Sequence, residues 1–314
     1  MRVFVTGATG FVGSAIIPEL MNAGYQVLGL ARSEAGAKSL IAAGAQVHRG
    51  DLNDLESLRQ GAALSDAVIH TAFIHDFSRF QEVCDVDRRA IEALGASLAG
   101  SDRPLLITSG TGLANGAPGR PATEQDAPAN SIPRVASEQA AASVAANGVR
   151  VGVVRLPQVH NTVKQGLITY AIELARQKGV SPYVGDGHNR WPAVHVLDAA
   201  RLYRLALEKL EKDKLETGAR YHAVAEEGVP MRDIAEAIGR GLNVPVVSVS
   251  PEEAPAHFGW LVAFAGQDLP ASSALTRERL AWSPTGPGLI ADLEQMRYFE
   301  IGAGIASGRA APNL

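Results

Sequence analysis

The chain has one cysteine, Cys84, in 314 residues. A disulfide framework is excluded, and so is a metal cluster built on thiolates. Such sparing use of cysteine fits a reducing compartment. Met1 leads at once into an apolar strand pattern, so no signal peptide and a cytoplasmic location are the expectation. Basic charge is not in excess: 29 Lys and Arg stand against 33 Asp and Glu, a formal net charge of −4. No polybasic face is on offer, so neither nucleic acid nor an anionic membrane is an expected partner. Aromatic residues make up only 5%. Long apolar runs are missing as well. The richest, Phe258-Gly259-Trp260-Leu261-Val262-Ala263-Phe264, is too short to span a bilayer. No internal repeat appears, and no cluster has metal-ligand spacing.

Glycine, by contrast, is well placed. Thr6-Gly7-Ala8-Thr9-Gly10-Phe11-Val12-Gly13 follows the apolar run Val3-Phe4-Val5 and opens a helical pattern over 11–23. Strand, glycine turn and helix together form the context of a dinucleotide-binding fingerprint. Gly7 permits the sharp turn, Gly10 lets the backbone approach a pyrophosphate, and Gly13 lets the helix pack on the sheet. Thr9, Phe11 and Val12 share that turn. The helix N-terminus adds free N–H groups and a partial positive charge suited to phosphate.

Strand-like runs recur at 26–30, 45–48, 67–70, 104–108 and 150–154, separated by helical patterns at 34–43, 55–62, 80–98 and 134–146. This alternation predicts a Rossmann-type α/β fold, a doubly wound parallel sheet with helices on both faces. Pro18, inside the first helical pattern, should kink it. The second half is less regular. It reads as a helix over 164–179, a loop over 180–192, an amphipathic helix over 196–210 and a strand over 220–224. A helix over 231–241, a strand over 244–249 and helices at 252–265, 273–280 and 288–301 follow. The tail after Gly302 is expected to be mobile. Residues 1–160 form a dinucleotide-binding domain, which 194–225 rejoins. Residues 161–193 and 226–314 form a smaller, mostly helical substrate domain.

In open parallel sheets the ligand sits outside the carboxyl ends of the strands. Ala31-Arg32-Ser33 follows the second strand, where an NAD-preferring site places an acidic residue. Arg32, with Ser33 and Lys38 nearby, can fork onto a 2′-phosphate, so NADP(H) is expected ahead of NAD(H). Asp51 and Leu52 are placed to border the adenine. Thr71 and Ala72 stand where the cofactor backbone passes, and His70 is either a contact or a packed strand-end residue.

The glycine fingerprint, Gly50-Asp51-Leu52, His70-Thr71-Ala72, Thr108-Ser109 and Arg155-Leu156-Pro157-Gln158-Val159-His160 together resemble the extended and atypical short-chain dehydrogenase/reductases. The segment from Gly185-Asp186-Gly187 through Arg190-Trp191-Pro192 to Asp198-Ala199-Ala200 is similar to that family's second conserved region. The resemblance runs to about Ala225. It implies that Pro157, Gln158 and Val159 border the nicotinamide. It also implies that the second region, with Tyr183, His188, Asn189, Arg190 and Trp191, encloses a small-molecule substrate together with the C-terminal helices. A homodimer is expected by the same analogy.

The family pairs a tyrosine with a lysine one helical turn later. Here the helix reads Arg134-Val135-Ala136-Ser137-Glu138, which puts Arg134 and Glu138 at those positions. Arginine cannot donate a proton at neutral pH. It can stabilise an alkoxide or bind a carboxylate, or it can simply pair with Glu138 at i, i+4. Ser109 and Thr111 are candidates to bond the substrate oxygen, against a loop-capping role. His160 is a candidate proton source, against a structural one. Asp198 is read as a helix cap, and His257, Phe258 and Trp260 as either pocket or core. The leading expectation is an NADP(H)-dependent oxidoreductase acting on a small, partly apolar carbonyl or enone. The alternatives are a non-catalytic dinucleotide sensor and, more weakly, a nucleotide-sugar epimerase or dehydratase.

Overall fold

The computed structural model describes residues 1–297 except Asn115, Pro118, Asn130, Lys214 and Leu215. The tail after Gly302 and the end of the last expected helix lie outside the described residues. Strands β1 (Arg2–Thr6), β2 (Gln26–Ala31), β3 (Gln46–Arg49), β4 (Ala67–His70), β5 (Pro104–Gly110) and β6 (Arg150–Leu156) alternate with helices. The helices are α1 (Phe11–Asn22), α2 (Glu34–Ala42), α3 (Leu55–Ala63), α4 (Phe80–Leu98) and α5 (Val135–Ala146). Next come β7 (Gln158–His160), α6 (Ile168–Lys178), β8 (Ser181–Val184), β9 (Arg190–His195), α7 (Val196–Lys212) and β10 (Arg220–His222). The described chain closes with β11 (Glu226–Pro230), α8 (Met231–Leu242), β12 (Val246–Val249), α9 (Ala254–Phe258), α10 (Val262–Ala265), α11 (Ala274–Leu280) and α12 (Leu289–Gln295).

The main sheet has the order β10-β6-β5-β4-β1-β2-β3, and every pair in it is parallel. Strand order therefore reverses between β1 and β4, the kind of switch point at which open parallel sheets take their ligands. Both faces are buried. Ile16, Leu20, Leu40 and Tyr203 fill one side, and Leu58, Ile91, Leu94 and Val144 the other. A third core, around Ile168, Trp191, Ile234, Phe258 and Leu293, sits under two small sheets, β11-β9-β7 and β12-β8. Pro18 lies within α1 without ending it. Among the described residues, no helix is long and apolar enough to cross a membrane.

Three expectations are corrected. Residues 180–192 are not a loop, because β8 pairs with β12 and β9 pairs with β7 and β11. Gly185 and Gly187, at φ 61° and 71°, mark the turn between β8 and β9. The helix expected from 164 starts at Ile168, since Asn161 Oδ1 accepts from the N–H groups of Val163 and Lys164 and holds a turn there. The helix expected over 252–265 breaks at Gly259, at φ 55°.

The fit of α3 to β1 gives a test. A Cβ on Gly61 would come within 2.3 Å of the Phe4 ring, which is fully buried. Gly61→Ala gains helix propensity of up to about 1 kcal/mol, but overpacking costs about 1–3 kcal/mol. The expected outcome is a lower urea midpoint. A midpoint at or above that of the parent would show that Phe4 yields.

Candidate functional site

The glycine turn builds a cradle from backbone alone. Gly7 has φ 67°, and a Cβ there would lie 2.6 Å from the Ala72 nitrogen. A Cβ on Gly13 would stand 2.1 Å from the Gly7 carbonyl oxygen. Thr71 Oγ1 donates to the Thr6 carbonyl at 2.8 Å and clamps the end of β4 against the turn. Gly10 caps α1 without a side-chain bond, and no acidic residue stands in the first turn. The first N–H groups of α1 are thus left for an external anion, so the cradle fits a dinucleotide's diphosphate.

Beside it, Arg32 is exposed after β2. Ser33 caps α2, accepting from the Gly36 N–H at 3.1 Å. Its carbonyl accepts from Arg49, which also pairs with Glu34. Asp51 Oδ1 accepts from the Asn53 backbone at 2.9 Å, and Leu52 is buried. Pro157, after β6, is half-buried, and Val159, in β7, is buried.

Arg134 and Glu138 do not pair with each other, contrary to their helical spacing. Arg134 is the N-cap of α5, and its Nη1 donates to Asp87 Oδ2 at 2.5 Å and also meets Ser137. Its Nη2 donates to the Thr108 carbonyl at 3.0 Å, and the Phe73 ring lies 4.1 Å from its central carbon. Ser137 Oγ donates to Asp87 Oδ2 at 2.6 Å. His70 Nε2 lies 3.0 Å from Asp87 Oδ1, and its Nδ1 lies 2.7 Å from Thr6 Oγ1. His70 is therefore a packed link in a buried chain from β1 to α5. Burial raises the Asp87 pKa, but Arg134, His70 and Ser137 more than offset this and hold it well below the ordinary carboxylate range.

Glu138 is taken up on the other side. Its two oxygens accept from Arg155 Nε and Nη2, each at 2.8 Å, and Arg220 Nε lies 3.3 Å away. Burial pushes its pKa up and the Arg155 charge pulls it down, with a net lowering. Ser109 Oγ donates to Glu138 Oε1 at 2.8 Å, so its proton is engaged. Thr111 Oγ1 reaches the Leu156 carbonyl only at 3.5 Å and is the looser hydroxyl.

The other expected residues have partners of their own. His160 is fully buried, its Nδ1 2.6 Å from Asp292 Oδ2, and burial lowers its pKa. It ties β7 to α12 and has no exposed surface from which to supply a proton. Trp191 lies inside the third core. Arg190 forks onto Asp268, Nε and Nη2 at 3.0 and 2.8 Å. Tyr183 lies on β8 under Arg232. The cap of α7 is His195, while Asp198 accepts from the N–H groups of Thr285 and Gly286. Phe258 is core, whereas Trp260 is 42% exposed.

Sequence reasoning missed an aromatic wall. From Phe73, beside Arg134, rings pass through Phe80 and Phe77 to Trp260, Tyr170 and Phe264. Phe77 and Trp260 stack at 4.5 Å and 9°. The residues come from the segment after β4, from α6 and from 260–264, so only the fold assembles them. Lys164 was also missed, with its Nζ 5.6 Å from the centre of the Phe11 ring.

The chain matches the NAD dependent epimerase/dehydratase family over residues 3–218. An uncharacterized protein of Schizosaccharomyces pombe is 49% identical over 302 residues, which span 95% of this chain and 100% of the other. The 2-alkyl-3-oxoalkanoate reductase of Stenotrophomonas maltophilia is 28% identical over 265 residues, 79% of this chain and 77% of the other. Among solved structures, dTDP-glucose 4,6-dehydratase DesIV of Streptomyces venezuelae, with NAD bound, superimposes at a TM-score of 0.77 and 18% identity. That match covers 97% of this chain and 98% of the other, a likeness of fold.

The buried chain at Asp87 gives the test. Asp87→Ala strands the Arg134 guanidinium and should cost about 3–5 kcal/mol. Because the folded-state pKa of Asp87 is depressed, its contribution is fully present above the ordinary aspartate pKa of about 4. It drains away as pH falls below that, towards the folded-state value. The gap in stability between parent and variant should therefore narrow on acidification. A gap independent of pH in urea titrations between pH 7 and pH 3 would refute the assignment.

Proposed function

The chain belongs to the NAD dependent epimerase/dehydratase family, and from that premise we propose that it is an NADP(H)-dependent reductase of a small, partly apolar carbonyl or enone compound. The observation that carries this reading is the all-backbone cradle at Gly7, Gly10 and Gly13, at the end of β1 beside the reversal of strand order. When bound, the nicotinamide supplies the hydride. The chain's own residues position the acceptor. Asp87, Ser137 and the Thr108 carbonyl occupy both terminal nitrogens of Arg134. Its Nε–H is left to meet negative charge developing on the substrate oxygen. Thr111, the looser of the two hydroxyls, is the better second donor, because the Ser109 proton is held by Glu138. The half-exposed aromatic rings suit a partly apolar substrate. The final proton comes from solvent. Arg32, exposed and without an acidic partner among the described residues, supports the choice of NADP(H).

A second reading has its own support. Both positions of the missing Tyr/Lys pair are locked in buried ion pairs, which is what a dinucleotide-binding sensor without turnover would tolerate. NADPH oxidation over a panel of ketones, aldehydes and enones separates the two. Turnover of at least one panel member is expected, and binding without turnover across the panel would favour the sensor. Arg32→Glu should weaken NADPH roughly tenfold or more and leave NADH little changed. Equal weakening of both would remove the 2′-phosphate contact.

A further inference from the structure

The segment 161–167, between β7 and α6, is tied down along its length. Asn161 Oδ1 accepts from Val163 and Lys164, and the Asn161 N–H donates to the Lys164 carbonyl at 2.9 Å. Gln165 Nε2 donates to the Asn161 carbonyl at 2.7 Å, and Gln158 Oε1 accepts from the Leu167 N–H at 3.0 Å. What this built turn presents is the Lys164 side chain. Its ammonium stands over Phe11, the first residue of α1. Burial lowers its pKa, and nothing acidic acts on it to raise it. No carboxylate among the described residues pairs with it.

This placement is electrostatically incomplete. The N-terminus of a helix carries about half a positive charge. Here that end has no acidic residue and no side-chain cap. An ammonium held 5.6 Å from the ring of that helix's first residue adds positive charge on the same side of the molecule, and a bound anion would offset both.

We propose that Lys164 is a ligand of the cofactor's diphosphate, closing over the cradle from the side opposite the α1 amides. The proposal rests on the dinucleotide reading above. It gives the cleft a cation from the turn after β7, independent of α5, where the corresponding position holds Glu138. Lysine serves as a point charge for phosphate and needs no forked geometry.

The test is calorimetric titration of the full chain with three probes: NADPH, 2′-phospho-ADP-ribose, and adenosine 2′-monophosphate, which lacks the diphosphate. Lys164→Met should weaken the first two by the same factor, roughly ten- to a hundredfold for a bond to a charged group. Adenosine 2′-monophosphate should bind as before, and Lys164→Arg should restore most of the loss. Unchanged NADPH affinity in Lys164→Met overturns the proposal. So does a loss confined to NADPH, which would place the lysine at the nicotinamide end, or an equal loss with all three probes. A parent chain that binds none of the probes overturns the dinucleotide reading itself, a result distinct from parent and variant binding alike.

Discussion

One close approach governs the cleft: Gly13 lies on the carbonyl of Gly7, where a Cβ would stand only 2.1 Å away. The contact sets the start of α1 directly over the end of β1. Gly7 must then turn through the left-handed region, and the space it leaves is filled by the backbone of Ala72 and the hydroxyl of Thr71. The ends of β1 and β4, the two strands that flank the reversal of strand order, are thereby locked together by backbone contact at Gly7 and by the Thr71 hydroxyl on the Thr6 carbonyl. Whatever anion lies there meets N–H groups whose positions are fixed before it arrives.

Beneath this cradle the polar floor is continuous. Thr6, His70, Asp87, Ser137 and Arg134 are linked from β1 through β4 and α4 to α5. Ser109, Glu138, Arg155 and Arg220 continue the floor from β5 towards the sheet edge at β10. Burying these ions is expensive, at several kcal/mol each. The arrangement is tolerated because each carboxylate accepts from three or more donors. The first turn of α5 therefore works as a bolt between layers of the fold. By the resemblance drawn from the sequence, these two positions are where the family carries its phenol and lysine.

The fingerprint was legible in the sequence because it is local: three glycines in one turn between a strand and a helix. The parallel sheet was legible for the same reason, unit by unit. The ion pairs were not. Helical spacing pairs Arg134 with Glu138, but Arg134 precedes the regular helix and finds Asp87 on α4, while Glu138 finds Arg155 on β6. The hint was Arg155 itself, a charge that follows the buried run Val153-Val154 near the end of β6. His160 does follow the sixth strand, as read, but β7 leaves the main sheet and turns that side chain toward Asp292. Strands β8 and β9 escaped notice because their partners lie far along the chain. The aromatic wall draws on three distant segments and has no periodicity to betray it.

On the proposed reading, the locked residues also bear on which type of reaction suits the site. Epimerisation and dehydration of a sugar begin by taking a proton from a hydroxyl, which calls for a base in contact with it. At this position Arg134 cannot accept a proton. Glu138 is committed to Arg155 and shielded by Ser109. His160 is sealed against Asp292. Reduction makes the opposite demand: negative charge appears on the substrate, and a fixed guanidinium edge stabilises it without giving up a proton. For an enone the charge spreads along the conjugated system, and water can complete the reaction after hydride has moved. On the proposed reading, the same substitution that removes the acid–base pair leaves a site suited to acceptors that need electrostatic help and little else.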